Sequence, residues 1–272
     1  MITDSEFNHI VVYVKRNYGI DLSQKRVLVG GRLDNYLARN GYASCEEYLS
    51  KVEKNPKGAE ATDLINALTT NHTYFMRESE HFDYMTNVAL PWAKAKACAA
   101  GEKDLRIWSA ASSTGEEPYG LAMVVLDFFG LEHKAWDTRI LATDVSTRVL
   151  EHASKGVYLK ENIAPVPAKW KQRYFKQISQ EEYQVKDELK KELIYRQFNL
   201  MSPFPFKRKF HIVFLRNVMI YFPDDTKYQV VNKIYDFMEP GGFLFIGTTE
   251  SLNRSMTKFQ YIQPSIYRKQ GT

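Results

Sequence analysis

The chain has 272 residues, of which 44% are hydrophobic and 25% charged, proportions typical of a soluble globular protein with one large or two modest domains. No apolar run approaches the roughly 20 residues of a membrane span, and the N-terminus lacks the apolar core of a signal peptide. We therefore expect a cytoplasmic protein without direct membrane insertion, and the net charge of +5 is too mild to indicate a nucleic-acid partner. Cys45 and Cys98 match no metal or redox spacing, so we predict no metal site.

Helical periodicity dominates residues 1 to about 70 and predicts four helices. The first would place Phe7, Ile10, Val11 and Val14 on one face and close near Gly19. Ser44 and the acidic residues after it form a predicted capping box that opens the third helix. The second helix carries basic positions that we interpret chiefly as a solvated face, the alternative being a docking surface for an acidic helical partner. These positions are Lys25, Arg26, Arg32 and Arg39.

Polar and aromatic residues interrupt the helical pattern at residues 71–77 and predict a cap before the next helix. That helix would begin near Ser79 and run to about Ala100, which joins the small N-terminal part to the rest of the chain. We therefore predict a helical N-terminal domain over residues 1–72 and a second domain over residues 73–272.

A short apolar run from Leu105 predicts a buried strand, followed by a turn of small residues and an apolar helix that ends at Gly130. This is the first half of a nucleotide-binding βαβ unit, and residues 138–144 supply its second strand. An acid at the end of that strand, here Asp144, accepts hydrogen bonds from ribose hydroxyls in such folds. The 29 residues from Gly115 to Asp144 exceed the roughly 20 of the dinucleotide fingerprint, whose glycine pattern is also missing.

Two carboxylates, Glu116 and Glu117, stand at the start of the predicted helix. They would repel a pyrophosphate but not a cationic ligand that has a ribose, such as S-adenosylmethionine. The alternative is that they only complement the helix dipole, an effect of about 0.3–1 kcal/mol. Together with the preceding strand and Asp144, the pair favours a ligand.

The alternation of strands and helices pauses at residues of about 157–198, where short strands predict a small antiparallel insertion. The last of these, at 193–198, would continue into Asn199 and Leu200. A strand at 210–215, an amphipathic helix ending at residues 239–242, a strand at 243–247 and a closing antiparallel pair complete the pattern. The fold class is thus α/β, with a doubly wound parallel sheet that has helices on both faces.

Ligands of such sheets bind beyond the carboxyl ends of the strands. Residues Ala110 to Glu117, Asp144, and the pair Arg216 and Asn217 would all lie at this rim, although they are far apart in sequence. Their convergence predicts a single ligand site.

Four motifs together resemble one family, the CheR chemotaxis receptor methyltransferases, which are S-adenosylmethionine-dependent protein-glutamate O-methyltransferases with a Rossmann-like sheet. The order of elements also matches, so the resemblance covers nearly the whole chain. Met76 stands where a second Phe is common and Leu215 where Cys is common. The motifs are Asn71-x-Thr73-x-Phe75-x-Arg77, Trp108–Ala110 with Ser113–Tyr119, Ala142–Ser146, and Arg216–Phe222.

The resemblance implies roles for individual residues. Asp144 would hold the ribose hydroxyls, Asn199 and Leu200 would flank the adenine, and the catalytic residues Arg77 and Tyr221 would stand near the point of methyl transfer. Arg77 would bind a carboxylate of either the substrate or the cofactor; from spacing alone it could also be a surface arginine of a first helical turn. The implied cofactor contacts are Asn71, Thr73, Arg77, Ala110, Glu117, Asp144, Asn199, Leu200, Arg216 and Asn217.

The resemblance also implies that the substrate is a glutamate in the cytoplasmic helical region of methyl-accepting chemotaxis receptors, with S-adenosylhomocysteine as the second product. Family members that need a receptor pentapeptide tether carry a glycine in the insertion, whereas the turn at Lys176–Gln180 has none. We therefore expect action without a tether. We also expect the protein to be a monomer. The alternatives are a catalytically silent S-adenosylmethionine-binding signalling module and a methyltransferase of RNA or small molecules. The mild charge and the missing Asn/Asp-Pro-Pro-Tyr motif argue against the latter.

Overall fold

A computed structural model describes residues 2–271, and its N-terminal part is a four-helix unit with a hydrophobic core of its own. Thr3 caps the first helix in a complete capping box with Glu6. At the third helix only half of the predicted box forms, because the Glu47 carboxylate reaches the Ala43 N–H instead of that of Ser44. The helices are α1 (Asp4–Tyr18), α2 (Arg26–Arg39), α3 (Cys45–Lys54) and α4 (Ala59–Leu68).

Two of the basic side chains of α2 donate hydrogen bonds to the protein itself. This corrects their interpretation as part of a solvated or docking face. Arg26 donates to the carbonyl of Ile2 and packs over the Phe7 ring. Arg32 donates to three carbonyls at the end of α4, where helical carbonyls lack partners of their own. Only Lys25 and Arg39 of the four are exposed.

The predicted linking helix forms as one continuous run with a π-helical segment in the middle, Met85–Ala89, between α5 (Glu80–Tyr84) and α6 (Leu90–Ala99). Pro91 explains the segment, because it lacks an N–H and its ring clashes with the carbonyl four residues earlier. In this segment the hydrogen-bond pattern of the helix shifts by one residue.

The remaining elements alternate between strands and helices. The strands are β1 (Ile107–Ser109), β2 (Ile140–Asp144), β3 (Val157–Leu159), β4 (Phe175–Gln177), β5 (Glu182–Val185), β6 (Leu193–Gln197), β7 (Phe210–Leu215), β8 (Met238–Ile246), β9 (Gln260–Gln263) and β10 (Ile266–Arg268). The helices are α7 (Glu116–Phe129), α8 (Thr147–Lys155), α9 (Ala168–Tyr174), α10 (Asp187–Lys190) and α11 (Asp224–Asp236), with 3₁₀ turns at Gly130–Ala135 and Met219–Tyr221.

Seven strands build the central sheet in the order β6-β2-β1-β7-β8-β10-β9. The first five are parallel, and β10 and β9 add an antiparallel edge. Side chains alternate between two hydrophobic clusters, so that Phe214 and Phe245 stack on one face while Trp108 and Leu244 lie in the core of the other. The predicted doubly wound α/β class with an all-helical N-terminal part is thus confirmed.

The extent of the antiparallel insertion was predicted wrongly. Residues 193–197 form β6 of the central sheet, parallel to β2, and only β3, β5 and β4 make the small antiparallel sheet. Tyr174 ends helix α9, directly before β4. A strand's side-chain pattern shows that it is a strand, but its partner is chosen by tertiary packing.

The end of the amphipathic helix was also predicted wrongly, at residues 239–242 with their glycine pair. Helix α11 ends at Asp236, and Gly241 and Gly242 lie inside β8, where the register with β7 shifts. Gly241 has φ of +85° and packs against Trp92, and a Cβ on Gly242 would lie 2.8 Å from the His211 carbonyl oxygen. The pair therefore builds an irregularity in the strand. No helix within residues 2–271 is long and apolar enough to cross a bilayer.

Candidate functional site

One cavity of about 360 Å³ opens at the carboxyl ends of the parallel strands, between the sheet and the helical unit. It is lined by the segment before α5, the turns after β1, β2, β6 and β7, and the connection between α1 and α2. Every residue that the resemblance assigns to the cofactor or to catalysis lies in its wall, which brings together positions that are far apart in the chain. They are Asn71, Thr73, Arg77, Ala110, Glu117, Asp144, Asn199, Leu200, Arg216, Asn217 and Tyr221.

The turn after β1 presents backbone and small side chains to the cavity. Ser113 and Gly115 both adopt left-handed φ, +48° and +99°. A Cβ on Gly115 would lie 2.8 Å from both the Ala153 Cβ and the Tyr158 hydroxyl oxygen. Glycine is therefore required there by both backbone conformation and space.

Asp144 ends β2 and is 7% exposed. Its Oδ2 accepts the Ser113 N–H and its Oδ1 accepts the Ser146 N–H, each at 2.9 Å. Burial raises the pKa of the carboxyl, against the lowering effect of these N–H donors. Each oxygen keeps a lone pair for another donor. The geometry thus presents a fixed acceptor at the predicted place, while its contact with a ribose stays a prediction.

Only one of the two adjacent carboxylates faces the cavity. Glu117 lines it, whereas Glu116 is 4% exposed, lies outside the lining and accepts a hydrogen bond from the Thr114 hydroxyl at 2.6 Å. Successive residues of a helix point about 100° apart, so both cannot face one ligand. The expectation that the pair acts together is therefore wrong for Glu116, whose pKa is raised by burial.

Arg216 is held by the protein on every side. Its Nη1 donates to Glu117 at 2.8 Å, its Nε donates to Glu78 at 3.3 Å, and its Nη2 donates to the Arg77 carbonyl. Burial raises the pKa of Glu78, but the Arg216 charge and the Thr248 N–H outweigh it and leave that pKa below its usual value. Arg216 is therefore a neutralised part of the wall.

Arg77 differs from Arg216 because some of its N–H donors have no acceptor among the described residues. Its Nη1 donates to the His72 carbonyl at 3.1 Å, and its guanidinium lies over the Tyr74 ring. The nearest carboxylate oxygen, on Glu78, is 3.8 Å from Nε, beyond a normal hydrogen bond. In the described chain the Nε and Nη2 groups thus remain available, and Arg77 is a cavity residue with its side chain 26% exposed.

Asn199 and Leu200 follow β6. The amide of Asn199 is used internally, since Nδ2 donates to the Asn17 carbonyl at 2.7 Å and Oδ1 accepts the Met201 N–H at 2.9 Å. Leu200 offers an apolar wall. Asn199 therefore ties α1 to the rim as well as lining the cavity.

Sequence reasoning missed one whole wall of the cavity and two carboxylates. The wall is the connection after α1, with Ile20, Asp21 and Leu22, and no pattern in the sequence marks it. Glu78 follows the motif residue Arg77, and Glu250 comes soon after the end of β8. The rule that polar residues beyond strand ends build the site could have found Glu250.

The donor set suits S-adenosylmethionine, the cofactor that the sequence resemblance implies. The cavity falls within the roughly 300–1,000 Å³ of small-molecule sites. Three carboxylates line the cavity, on Asp21, Glu117 and Asp144, and three cations line it, on Lys25, Arg77 and Arg216. The formal charges of the lining therefore balance, which suits a ligand that, like this cofactor, carries both cationic groups and a carboxylate. The buried Oγ of Ser112, which borders the cavity, has no hydrogen-bond partner among the described residues.

Comparison with known proteins identifies two matching family models. The all-alpha domain of CheR methyltransferases matches residues 5–69, and the SAM binding domain of CheR methyltransferases matches residues 71–268. A chemotaxis protein methyltransferase of Borreliella burgdorferi is 37% identical over 270 residues, which cover 98% of this chain and 95% of that protein. The Escherichia coli protein of the same name is 32% identical over 98% of this chain and 91% of its own length. A probable chemotaxis protein methyltransferase of Rhizobium etli is 33% identical over 92% of this chain and 97% of its own length.

Proposed function

The chain belongs to the CheR methyltransferase family, and from this premise we propose that it transfers a methyl group from S-adenosylmethionine to glutamate side chains of chemotaxis receptors. Its cofactor is S-adenosylmethionine, since the model that matches the second domain is a SAM binding domain. The products are a glutamate methyl ester and S-adenosylhomocysteine. We propose that the substrate glutamates lie in the cytoplasmic helical region of the receptors and that the enzyme acts in the cytoplasm as a monomer.

The contrast between the two cavity arginines carries this proposal. The donors of Arg216 are occupied by Glu117, Glu78 and a carbonyl, whereas Arg77 keeps Nε and Nη2 for a ligand. A planar guanidinium binds a carboxylate through two parallel hydrogen bonds, which fixes the direction of the oxygens. We assign Arg77 to the substrate glutamate, because the cavity offers a free guanidinium there.

Methyl transfer to a glutamate needs no proton transfer by the protein. A glutamate with a pKa of about 4.3 is already ionised at neutral pH, so no general base is needed. The bound cofactor supplies a methyl group on a sulfonium, which is a good leaving group. What remains is positioning, which can contribute about 7–11 kcal/mol to a reaction of two aligned groups.

We propose that different residues of the wall position different parts of the cofactor and the substrate. The Asp144 carboxylate would hold the ribose hydroxyls, and Leu200 would pack against the adenine. Glu117 and Glu78 keep Arg216 from capturing the incoming carboxylate. Arg77 would orient that carboxylate, and Tyr221, which lines the same cavity, would complete the site at the methyl-transfer end.

We propose that no receptor tether is needed. The turn between β4 and β5 is a short hairpin in which Ile178 and Ser179 donate to the Glu182 carbonyl, and the Ser179 hydroxyl accepts the Glu182 N–H. These bonds hold it in a compact conformation without glycine. A receptor truncated before its C-terminal tail should thus be methylated as fast as the full-length receptor.

The test is transfer of a radiolabelled methyl group to receptor-containing membranes, followed by mild base. Base-labile label supports a methyl ester. Base-stable label would refute the glutamate assignment, and cofactor binding without any transfer would identify a catalytically silent signalling module instead.

A further inference from the structure

Glu250 is a buried carboxylate that pairs with no cation in the described part of the chain. It is 7% exposed and follows the end of β8. It lies outside the cavity lining. Buried acids are normally neutralised by a cation, so its role requires another explanation.

Four backbone N–H groups satisfy this carboxylate. Oε2 accepts from Gly247 at 2.7 Å and from Asn217 at 3.0 Å. Oε1 accepts from Met219 at 2.8 Å and from Ile220 at 3.3 Å. One side chain therefore fastens the turn after β7 to the end of β8.

The backbone of this turn needs such a restraint. Asn217 has φ of +56°, a left-handed conformation that non-glycine residues keep only when their surroundings impose it. Gly247 permits the close approach, because a Cβ there would lie 2.5 Å from the Asn217 Nδ2 and 2.9 Å from Oε2 of Glu250.

The same turn ends in Tyr221. The N–H groups of Met219 and Ile220 begin the 3₁₀ turn Met219–Tyr221, and the Tyr221 carbonyl accepts the Asp21 N–H from the opposite wall at 2.8 Å. The Tyr221 side chain lines the cavity, and none of the described residues forms a hydrogen bond with its hydroxyl. Its position is thus set through its backbone.

We propose that Glu250 is a positioning residue: by binding the Met219 and Ile220 N–H groups it fixes Tyr221 at the methyl-transfer end of the cavity, without touching either ligand. This inference rests on the proposed function. It predicts that a loss of Glu250 acts on the reaction through Tyr221 and not merely through the stability of the fold.

The experiment is a double-mutant cycle of Glu250→Gln and Tyr221→Phe in the full-length protein. It measures kcat for receptor methylation, with the Kd for S-adenosylmethionine by calorimetry. Gln keeps one carbonyl oxygen but turns an NH₂ group toward two N–H donors. We expect kcat to fall by about 100-fold in the otherwise wild-type protein, the scale of a 1 Å misplacement, and by less than about threefold when Tyr221 is already Phe. Kd should change less than kcat.

Glu239→Gln is the matched control, because Glu239 lies near the start of β8, the strand that Glu250 follows, and pairs with Arg106 at the other end of that strand. It should leave kcat unchanged in both backgrounds. If Glu250→Gln does not fold, Glu250→Asp, which keeps the charge on a shorter arm, should show the same dependence on Tyr221.

Equal loss of kcat in both backgrounds would overturn the proposal, since Glu250 would then serve the fold alone. A wild-type protein that methylates no receptor would instead overturn the proposed function, and that outcome is visible before any variant is made.

Discussion

Oε2 of Glu117 accepts a hydrogen bond of 2.8 Å from Nη1 of Arg216, although the two residues are 99 positions apart. The contact joins the first turn of α7 to the loop after β7, and Glu78 holds the other side of the same guanidinium. Arg216 is thereby neutralised inside the protein. Of the two arginines that line the cavity, Arg77 is left to receive a carboxylate.

Substitution of Arg77 tests that division of roles. Arg77→Ala should lower receptor methylation by about 100-fold or more, because the carboxylate loses its bidentate partner. The melting temperature should change little, since the side chain donates to one protein carbonyl only. Arg139→Ala, which removes an exposed ion pair with Asp137, is the control. Wild-type activity of Arg77→Ala would refute the assignment.

Asp144 should set the affinity for the cofactor. In Asp144→Asn an amide replaces one of two oxygens that already accept N–H groups, so a donor faces a donor and the charge is lost. A hydrogen bond to a charged group contributes about 1.5–3 kcal/mol, which predicts a Kd for S-adenosylmethionine weaker by about 10–100-fold. Calorimetry measures it, and Asp137→Asn at the opposite edge should leave Kd unchanged.

Two glycines give opposite predictions for the same change. Gly115→Ala should destabilise the protein by about 1–3 kcal/mol, because φ is +99° and the new Cβ would press on Ala153 and Tyr158. Gly31→Ala should stabilise it by about 0.5–1 kcal/mol, because that residue is inside α2 with no atom within 4 Å of the new Cβ. Urea unfolding of both variants measures the difference, and equal effects would contradict the conformational argument.

Buried His81 should make the fold sensitive to mild acid. Burial and the Arg216 charge lower its pKa from 6.5 to about 4, so between these values the unfolded chain binds a proton that the folded protein does not. Stability therefore falls as the pH drops below 6.5, by about 2 kcal/mol from this group between pH 7 and pH 5.

Urea unfolding at the two pH values measures this effect. In His81→Asn the loss of unfolding free energy between pH 7 and pH 5 should be smaller than in the wild type by that amount. The two proteins are compared by the change in unfolding free energy between the two pH values and not by its absolute value. Asn also changes the hydrogen bond to Ser265 and so lowers stability at both pH values. An identical loss in both proteins would show that His81 titrates normally.

Local patterns of apolar and polar residues are enough to predict most of the strands, the turn of small residues and the acid at the end of β2. The sequence also indicated that the residues at strand ends meet, since parallel strands bring their carboxyl ends to one rim. The residues that the resemblance assigns to the cofactor or to catalysis accordingly line one cavity.

Which side chains face a ligand and which support the wall of the cavity depends on contacts between distant parts of the chain. Glu116 and Glu117 are neighbours in sequence, yet helix geometry turns one into the core and the other toward Arg216. Residues 193–197 have a strand pattern, but packing beside β2 made them part of the central sheet. Ion pairs and strand partners form between distant residues, and the energy of such contacts depends on distances that no local pattern encodes.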